Sequence, residues 1–288
     1  TVGARPNAPK RIKVTHCLAA GDILECTDQN LAVEIMTGAK MPEDYDAVVP
    51  IEKVRVIHDA KGQAVEIEIH TELTSGENVR YSGEDFRCGQ SLATRGTRLH
   101  AGHIAAMAAT GVHELLVFNM PEVNVITTGK EVSDDYHVPL KDGEIYNSNT
   151  PYLLSQFKSA GIPASYAGSI GDDGHAFVEM LNDVTNARIV ISSGAVSMGK
   201  WDFIPELLEK EGARIIFHGV SIKPGKPILF AVLKDGRYYF GLPGNPVSTA
   251  VGLRFFVQPL IRQLLGMPIE NYHYAELRHD YRKKGDLR

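Results

Sequence analysis

Residues 241–246, Gly-Leu-Pro-Gly-Asn-Pro, join an apolar run to an amphipathic helical pattern. Residues 238–240 resemble the end of a buried strand, Asn245 is a favourable N-cap, and Pro246 suits the first position of a helix. The free backbone N–H groups at such a helix start attract negative charge. We therefore expect this turn to bind a phosphate or another oxyanion. A tight turn without a ligand would have the same local pattern.

A second candidate anion site lies shortly before this turn. The loop Lys223-Pro224-Gly225-Lys226-Pro227 places two ammonium groups on a turn stiffened by two prolines. Ammonium groups held in this way are suited to an oxyanion, and a solvated surface turn is the alternative. The two sites together predict a pocket that binds an anion.

Three further loops are rich in hydroxyl, amide and glycine residues. They are Thr127-Thr128-Gly129-Lys130-Glu131, Asn147-Ser148-Asn149, and residues 192–199, Ser-Ser-Gly-Ala-Val-Ser-Met-Gly. Small residues leave backbone amides open to a phosphate. The GxxxxGK[ST] spacing is absent from the last loop, which argues against a nucleotide triphosphatase of the P-loop class.

Carboxylates stand beside several of these loops. Asp202 follows the loop at 192–199, and Asp172-Asp173 follow another predicted strand. Carboxylates in such positions could bind Mg²⁺. Equally, Asp202 could be a surface carboxylate, and Asp172-Asp173 could cap the next helix.

The elements that must position these loops follow two patterns. From residue 122 the chain alternates strands and helices, which predicts a parallel sheet with helices on both faces. The expected strands are 123–126, one near 165, 188–191, 214–217, 228–233 and 238–240; the expected helices are 150–160, 175–181, 203–211 and 247–265. Ligands of such sheets bind outside the carboxyl ends of the strands, where the unusual loops lie.

The first third of the chain has a different pattern. Short β-rich runs at 11–18, 31–36, 47–57, 64–69 and 78–81 alternate with turns, and Asp59-Ala60-Lys61-Gly62 is typical of a hairpin. This predicts a small antiparallel β domain. Residues 101–111 then predict one short helix that ends at a glycine.

Composition limits the function further. The 288 residues are 43% hydrophobic and 23% charged, with a formal net charge of −5. This indicates a globular protein, long enough for two domains, without the basic field that nucleic-acid binding requires. We expect no membrane partner, because the apolar runs are short. We expect a cytoplasmic location, since the N-terminal residues also lack the apolar core of a signal peptide. Three cysteines without CxxC spacing favour reduced thiols over a disulfide framework or a zinc site.

Taken in order, the motifs resemble those of the MoeA/gephyrin-type molybdopterin molybdotransferases. The resemblance covers nearly the whole chain. It rests on Met36-Thr37-Gly38-Ala39, Gly83-Glu84-Asp85, Thr128-Gly129 with Glu131, Ser148-Asn149, Gly171-Asp172-Asp173, Ser193-Gly194 with residues 196–199 and Asp202, the loop at 223–227, and residues 241–246.

The resemblance implies an α/β fold. It consists of a three-layer, parallel-type sheet domain that is MogA-like and binds molybdopterin, with an inserted small antiparallel β domain. We expect the β domain at residues 1–95, a helical connection at 96–122, the α/β domain at 123–266, and the start of an incomplete C-terminal β domain at 267–288. The resemblance also implies a homodimer whose active site combines one subunit's α/β domain with its partner's β domain.

The implied reaction inserts molybdate into adenylylated molybdopterin and releases AMP, with Mg²⁺ required. The residues that match the family's catalytic positions are Asp85, Glu131, Asp172, Asp202, Lys223 and Lys226; of these, Glu131, Asp172 and Asp202 match metal ligands. The positions that match cofactor contacts are Thr128, Gly129, Ser148, Asn149, Ser193, Gly194, Ser197, Gly199, Pro243, Gly244, Asn245 and Pro246. Carboxylates would hold Mg²⁺ against the pyrophosphate bridge, and lysines would hold molybdate and neutralise the leaving AMP.

The chain departs from the family pattern at four loop positions: Lys130, Asn147, Ala195 and Gly219. The family's Asp-Gly-Tyr-Ala motif, expected before the β domain, is also not in this sequence. These departures keep a weakened paralogue open, acting as a molybdopterin-binding or scaffold protein. Molybdopterin adenylylation is a further alternative, and a molybdopterin adenylyltransferase is a possible partner.

Overall fold

The computed structural model describes residues 8–25, 28, 30–194, 203–271 and 273–280. Contacts divide the chain into two compact units, Thr1–Ser91 and Leu92–Arg288. The boundaries of the four predicted segments stay predictions. Ala195, Ser197, Gly199 and Asp202, which the sequence analysis named, lie outside the described residues.

The first unit contains a sheet that has four strands within the described residues, in the order β2-β1-β4-β3. Its strands are β1 (Lys10–Leu18), β2 (Ala32–Ile35), β3 (Val54–His58) and β4 (Ala64–Ile69). The β3–β4 hairpin is confirmed, and in its turn the Asp59 carboxylate accepts from the N–H groups of Lys61 and Gln63 at 2.8 and 2.9 Å. The predicted antiparallel domain is corrected at one pair, because β1 and β2 run parallel.

Two predicted strands of this unit need correction. Residues 78–81 form no strand: Asn78 lies in a turn with a left-handed backbone, φ 58°, and its side-chain amide donates to the Val48 carbonyl at 2.7 Å. The run at 47–57 gives a strand only from Val54, after a 3₁₀ turn at Ile51–Lys53. Pro50, which has no N–H to donate to a sheet, immediately precedes that turn.

The second unit begins with the predicted short helix, α1 (Ala101–Ala109). Its main sheet has six strands within the described residues, in the order β10-β11-β12-β9-β5-β8. These strands are β5 (Val123–Thr128), β8 (Ala164–Ile170), β9 (Ile189–Gly194), β10 (Arg214–His218), β11 (Leu229–Val232) and β12 (Tyr238–Pro243), and a separate short pair is formed by β6 (Val132–Ser133) and β7 (Ile145–Tyr146).

The sheet is parallel where the predicted site lies and antiparallel at one side. Strands β8, β5, β9 and β12 run parallel, whereas β10, β11 and β12 are connected as antiparallel neighbours. The pure parallel arrangement is therefore corrected for β10 and β11. The short connection through Asp235-Gly236 allows only an antiparallel pair, because a parallel crossover needs a dozen or more residues.

Helices cover both faces of this sheet, which confirms the three layers. They are α2 (Asn149–Ala160), α3 (Gly174–Asp183), α4 (Ile204–Lys210), α5 (Pro246–Gly252) and α6 (Gln258–Leu264), with a π-helical stretch at Leu253–Val257 between the last two. On one face, Val125 and Ile191 pack with Phe157 of α2 and with the π-helical stretch. On the other face, Ile126 and Val190 pack with α3 and α4. Successive strand residues point to opposite faces, so the nearly continuous apolar runs of β5 and β9 form two cores.

The described helices include none that combines the length and apolar character needed to cross a bilayer.

Candidate functional site

The carboxyl ends of β5, β9 and β12 lie side by side. Thr127 pairs with Ser193 across β5 and β9, and Gly194 pairs with Pro243 across β9 and β12. The loops that follow these strands therefore start from one edge of the sheet. This edge is where the sequence analysis placed the site.

Gly194 brings two of these strand ends into direct contact. Its φ is +133°, and a Cβ built at this position would lie 1.8 Å from the Thr128 carbonyl oxygen. The Thr128 hydroxyl donates to the Ser193 carbonyl at 3.3 Å. Main-chain atoms therefore form this part of the sheet edge. Such an edge allows the backbone to approach a ligand closely.

Asn149, at the start of α2, connects three of the predicted loops. Its side-chain amide donates to the Ser193 hydroxyl at 2.7 Å and to the Gly244 carbonyl at 2.8 Å. The residue is 9% exposed, and its Oδ1 is buried without a hydrogen-bond partner among the described residues. A buried acceptor without a donor is unfavourable by about 1–3 kcal/mol, so this oxygen is suited to a donor from a bound molecule. Ser148 beside it is exposed and makes no side-chain cap to α2.

The predicted start of α5 is confirmed. The Asn245 side chain accepts from the N–H groups of Val247 and Ser248 at 3.0 and 3.2 Å, and Pro246 takes the first helical position. The Thr249 hydroxyl donates to the Pro243 carbonyl at 2.6 Å, which fixes the turn to the helix. These two N–H groups are satisfied within the protein, so the cap limits the donors that this turn offers to an anion.

The lysine loop lies at the same sheet edge. Because β11 runs antiparallel to β12, with Leu229 opposite Gly241, the loop before β11 lies where β12 ends. Its base is closed by the Val220 N–H, which donates to the Lys226 carbonyl at 2.8 Å, and Gly225 packs against Val251 of α5. Lys223 and Lys226 are both exposed. Their ammonium groups are therefore available to an anion at the edge.

Two of the predicted carboxylates follow neighbouring strands. Glu131 follows β5, and its carboxylate oxygens lie 2.7 and 2.8 Å from the position of a Cβ built on Gly129. Asp172 follows β8 and is exposed. Asp173, not Asp172, caps α3 by accepting from the N–H groups of His175 and Ala176. The cap therefore leaves the Asp172 carboxylate free for another role.

The described residues contain no group of three or more His, Cys, Asp or Glu side chains arranged to hold a metal ion. Asp202, the third predicted metal ligand, is not among them. Asp85 lies in the first unit, where it is 55% exposed and forms an ion pair with Arg80 at 3.4 Å. Within the second unit, the structure brings Thr128, Asn149, Ser193 and Gly244 together at the sheet edge.

A polar cluster beside the edge was not predicted from the sequence. Asp134 accepts from the Tyr166 hydroxyl at 2.6 Å and from the Asn147 amide at 2.7 Å. Burial and the bond to Asp134 raise the pKa of Tyr166 to about 12. The sequence predicted Asn147 only as part of a polar loop before α2 and as a departure from the family pattern. Tyr166 lies 19 residues further along the chain, and no local pattern links two such positions before the sheet is formed.

Two known families match this chain in sequence. A family described as "Probable molybdopterin binding domain" matches residues 124–263, which include the sheet edge described above. A second, described as "MoeA N-terminal region (domain I and II)", matches residues 3–111. The chain belongs to the MoeA family.

Relatives of this MoeA-family chain carry consistent names. A "Molybdopterin molybdenumtransferase" of Synechococcus elongatus is 35% identical over 263 residues, covering 90% of this chain and 64% of the relative. One of Bacillus subtilis with the same name is 35% identical over 270 residues, covering 92% and 61%. The crystal structure of a molybdopterin biosynthesis MoeA protein from Pyrococcus horikoshii superposes with a TM-score of 0.71 at 31% identity, covering 91% of this chain and 64% of that one.

The chain therefore spans somewhat less than two thirds of the length of the relatives that it matches.

Proposed function

We propose that this chain is a molybdopterin molybdotransferase, which inserts molybdate into adenylylated molybdopterin and releases AMP. The observation that carries the proposal is the convergence of an amide, a hydroxyl and a backbone carbonyl at Asn149, on the sheet edge that also carries a loop with two exposed lysines. The names of the relatives support the same reaction.

The residues of the edge divide into two roles. Asn149, with its partners Ser193 and Gly244, holds the pterin, and the buried Oδ1 of Asn149 accepts from a pterin N–H. Thr128, Ser148 and the turn at 243–246 surround the same position. Lys223 and Lys226 bind molybdate and stabilise the negative charge that develops on the departing AMP.

Glu131 and Asp172 fit a magnesium ion by the chemistry of their donors. Mg²⁺ in proteins is commonly bound by one or two carboxylates together with substrate phosphates, and these two exposed carboxylates follow adjacent strands. We propose that both hold Mg²⁺, with Asp202 as a further ligand. The ion would neutralise the pyrophosphate of the substrate, while the two side chains orient it.

We further propose a homodimer in which Asp85 acts at the active site of the partner subunit. The support is the resemblance. Two exposed free thiols, Cys17 and Cys88, suit a reducing compartment, so we place the reaction in the cytoplasm. A molybdopterin adenylyltransferase would supply the substrate.

Release of AMP from purified molybdopterin-AMP, with molybdate and Mg²⁺, tests the proposal. The experiment compares this chain with a longer form of the protein. We expect molybdate-dependent release that Lys223→Ala abolishes. The control is Lys234→Ala, since Lys234 is an exposed lysine at the β11–β12 turn, on the opposite edge of the sheet.

Three other results would contradict or narrow the proposal. Consumption of ATP would indicate adenylylation of molybdopterin. Binding of molybdopterin without AMP release by either form would indicate the binding or scaffold protein. Equal unfolding of Lys223→Ala and Asp202→Asn in thermal melts would show that these residues support the fold rather than the reaction.

A further inference from the structure

The polar cluster beside the sheet edge begins at Asp134, an aspartate that neither the resemblance nor the proposed mechanism assigns. Both of its carboxylate oxygens are used: Oδ1 accepts from the Asn147 amide at 2.7 Å, and Oδ2 accepts from the Tyr166 hydroxyl at 2.6 Å. Hydrogen bonds to a charged acceptor are short and about twice as strong as neutral ones. Asp134 therefore ties the segment after β6 to β8, the strand that carries Tyr166.

Asn147 passes this restraint on to α2. It is 2% exposed, and its amide also donates to the Thr127 hydroxyl at 2.9 Å. Its Oδ1 accepts from the Thr150 N–H at 3.1 Å. Because Ser148, the N-cap, makes no side-chain cap, Asn147 satisfies an N–H at the start of α2 in its place. Asn149 lies between the two residues joined by this bond.

The same segment also carries Glu131. The Ile145 N–H donates to the Glu131 carbonyl at 2.8 Å, and the Asn147 N–H donates to the Ser133 carbonyl at 2.9 Å. These bonds form the β6–β7 pair, which begins next to Glu131 and ends next to Asn147. One loop thus connects the carboxylate at the end of β5 with the amide at the start of α2.

We propose that Asp134 is a positioning residue, which holds Asn147 and through it fixes the side-chain amide of Asn149 at the sheet edge. Its importance for molybdopterin rests on the proposed function, whereas its effect on Asn149 does not. Asp134 has both oxygens engaged within the protein and acts through Asn147 rather than on the substrate.

The first experiment measures the position of Asn149 without any ligand. Hydrogen exchange of the Asn149 side-chain amide is followed by NMR in the wild-type chain and in Asp134→Asn. We expect exchange at least about tenfold faster in the variant, since the restraint on the start of α2 is lost. Asp135→Asn is the matched control, because the exposed Asp135 carboxylate accepts from the His137 N–H rather than from Asn147, and the Asp135 N–H donates to the Ser133 hydroxyl.

The second experiment measures affinity for molybdopterin. We expect Asp134→Asn to weaken binding about tenfold, which corresponds to the loss of one well-placed hydrogen bond to the ligand. Asp135→Asn should bind as the wild type does. If Asp134→Asn does not fold, Tyr166→Phe removes one hydroxyl and leaves the carboxylate, and a smaller change in the same direction is expected.

The outcomes separate the two ideas. Unchanged exchange at Asn149 in a folded Asp134→Asn chain would overturn the positioning role. Faster exchange with unchanged molybdopterin affinity would support the effect of Asp134 on Asn149 and would overturn its importance for molybdopterin. A wild-type chain that binds no molybdopterin would refute the proposed function, and the exchange measurement would still decide whether Asp134 positions Asn149.

Discussion

Gly194 occupies a position where no side chain fits. The Cβ of an alanine would overlap the Thr128 carbonyl oxygen, and the left-handed backbone adds strain. We expect Gly194→Ala to lower the free energy of unfolding by at least about 3 kcal/mol, because the contact is with backbone that cannot rotate away. Chemical denaturation measures the change.

Gly171→Ala is the control for this substitution. Gly171 follows β8 at the same edge, and a Cβ there meets nothing within 4 Å. The free energy of unfolding of Gly171→Ala should therefore remain within about 0.5 kcal/mol of wild type. An equal loss in both variants would mean that the edge is sensitive to any added carbon, not to this contact.

Asn149 gives a second prediction at the scale of one residue. Asn149→Ala removes the donor to Ser193 and Gly244. We expect a loss of molybdopterin affinity of about tenfold or more, measured by calorimetry, since the pterin loses a buried polar partner. Asn124→Ala is the matched control, because the Asn124 amide donates to the Ser165 hydroxyl near the amino ends of β5 and β8, away from the site. Equal weakening by both would contradict a local role.

Arg237 joins two elements far from the site. Its guanidinium donates to the carbonyls of Leu181 and Val184 at the end of α3 and pairs with Asp235 in the β11–β12 turn at 2.7 Å. We expect Arg237→Met to destabilise the chain by about 2 kcal/mol, because buried carbonyls lose their donors. Arg214→Met, at an exposed position of β10, should have little effect in the same urea titration.

The pair also predicts a pH dependence. Burial raises the pKa of Asp235, but the hydrogen bonds from Arg237 and its positive charge outweigh this effect, so the pKa is lowered. The stabilisation is then complete above the ordinary aspartate pKa, about 3.9, and is lost as the pH falls through the lower pKa of the folded state. The stability difference between wild type and Arg237→Met should therefore shrink below about pH 4. A constant difference from pH 7 to pH 3 would show that the ion pair contributes nothing.

The elements that were predictable from sequence are those whose residues act locally. The strand-to-helix turn at Asn245 and the hairpin at Asp59 depend on neighbours within five residues, and both are confirmed. Asn78 was mistaken for a strand residue because its bond to Val48 joins positions 30 residues apart. The Asp134 cluster was missed for the same reason, since Tyr166 reaches Asp134 only after β8 has paired with β5.

The site itself was predictable to a similar limit. The motifs located the loops, and parallel strands bring such loops to one edge, so Thr128, Asn149 and Ser193 could be expected near one another. The Asn245 cap was predicted from the residue type and the following Pro246, whereas the unpartnered Oδ1 of Asn149 follows from atomic contacts for which the sequence holds no local signal.

At the scale of the whole molecule, the proposed composite site can be tested by mixing subunits. Asp85→Asn and Lys223→Ala should each abolish AMP release. When the two variants are unfolded and refolded together, random pairing should restore about one quarter of wild-type activity, since half of the dimers carry one intact site of two. The rate of AMP release and sedimentation of the mixture measure this. No recovery from a mixture that does form dimers would place Asp85 and Lys223 in the same subunit's site.

The contact between Gly194 and Thr128 has a consequence for how this protein can change over generations. A surface made by side chains can be altered one residue at a time, whereas a surface made by peptide groups keeps its shape whichever side chains surround it. At this edge a substitution either leaves the main chain where it is or prevents the two strands from meeting. Drift toward a different ligand must therefore begin in the lysine loop and in the carboxylates, where side chains project freely.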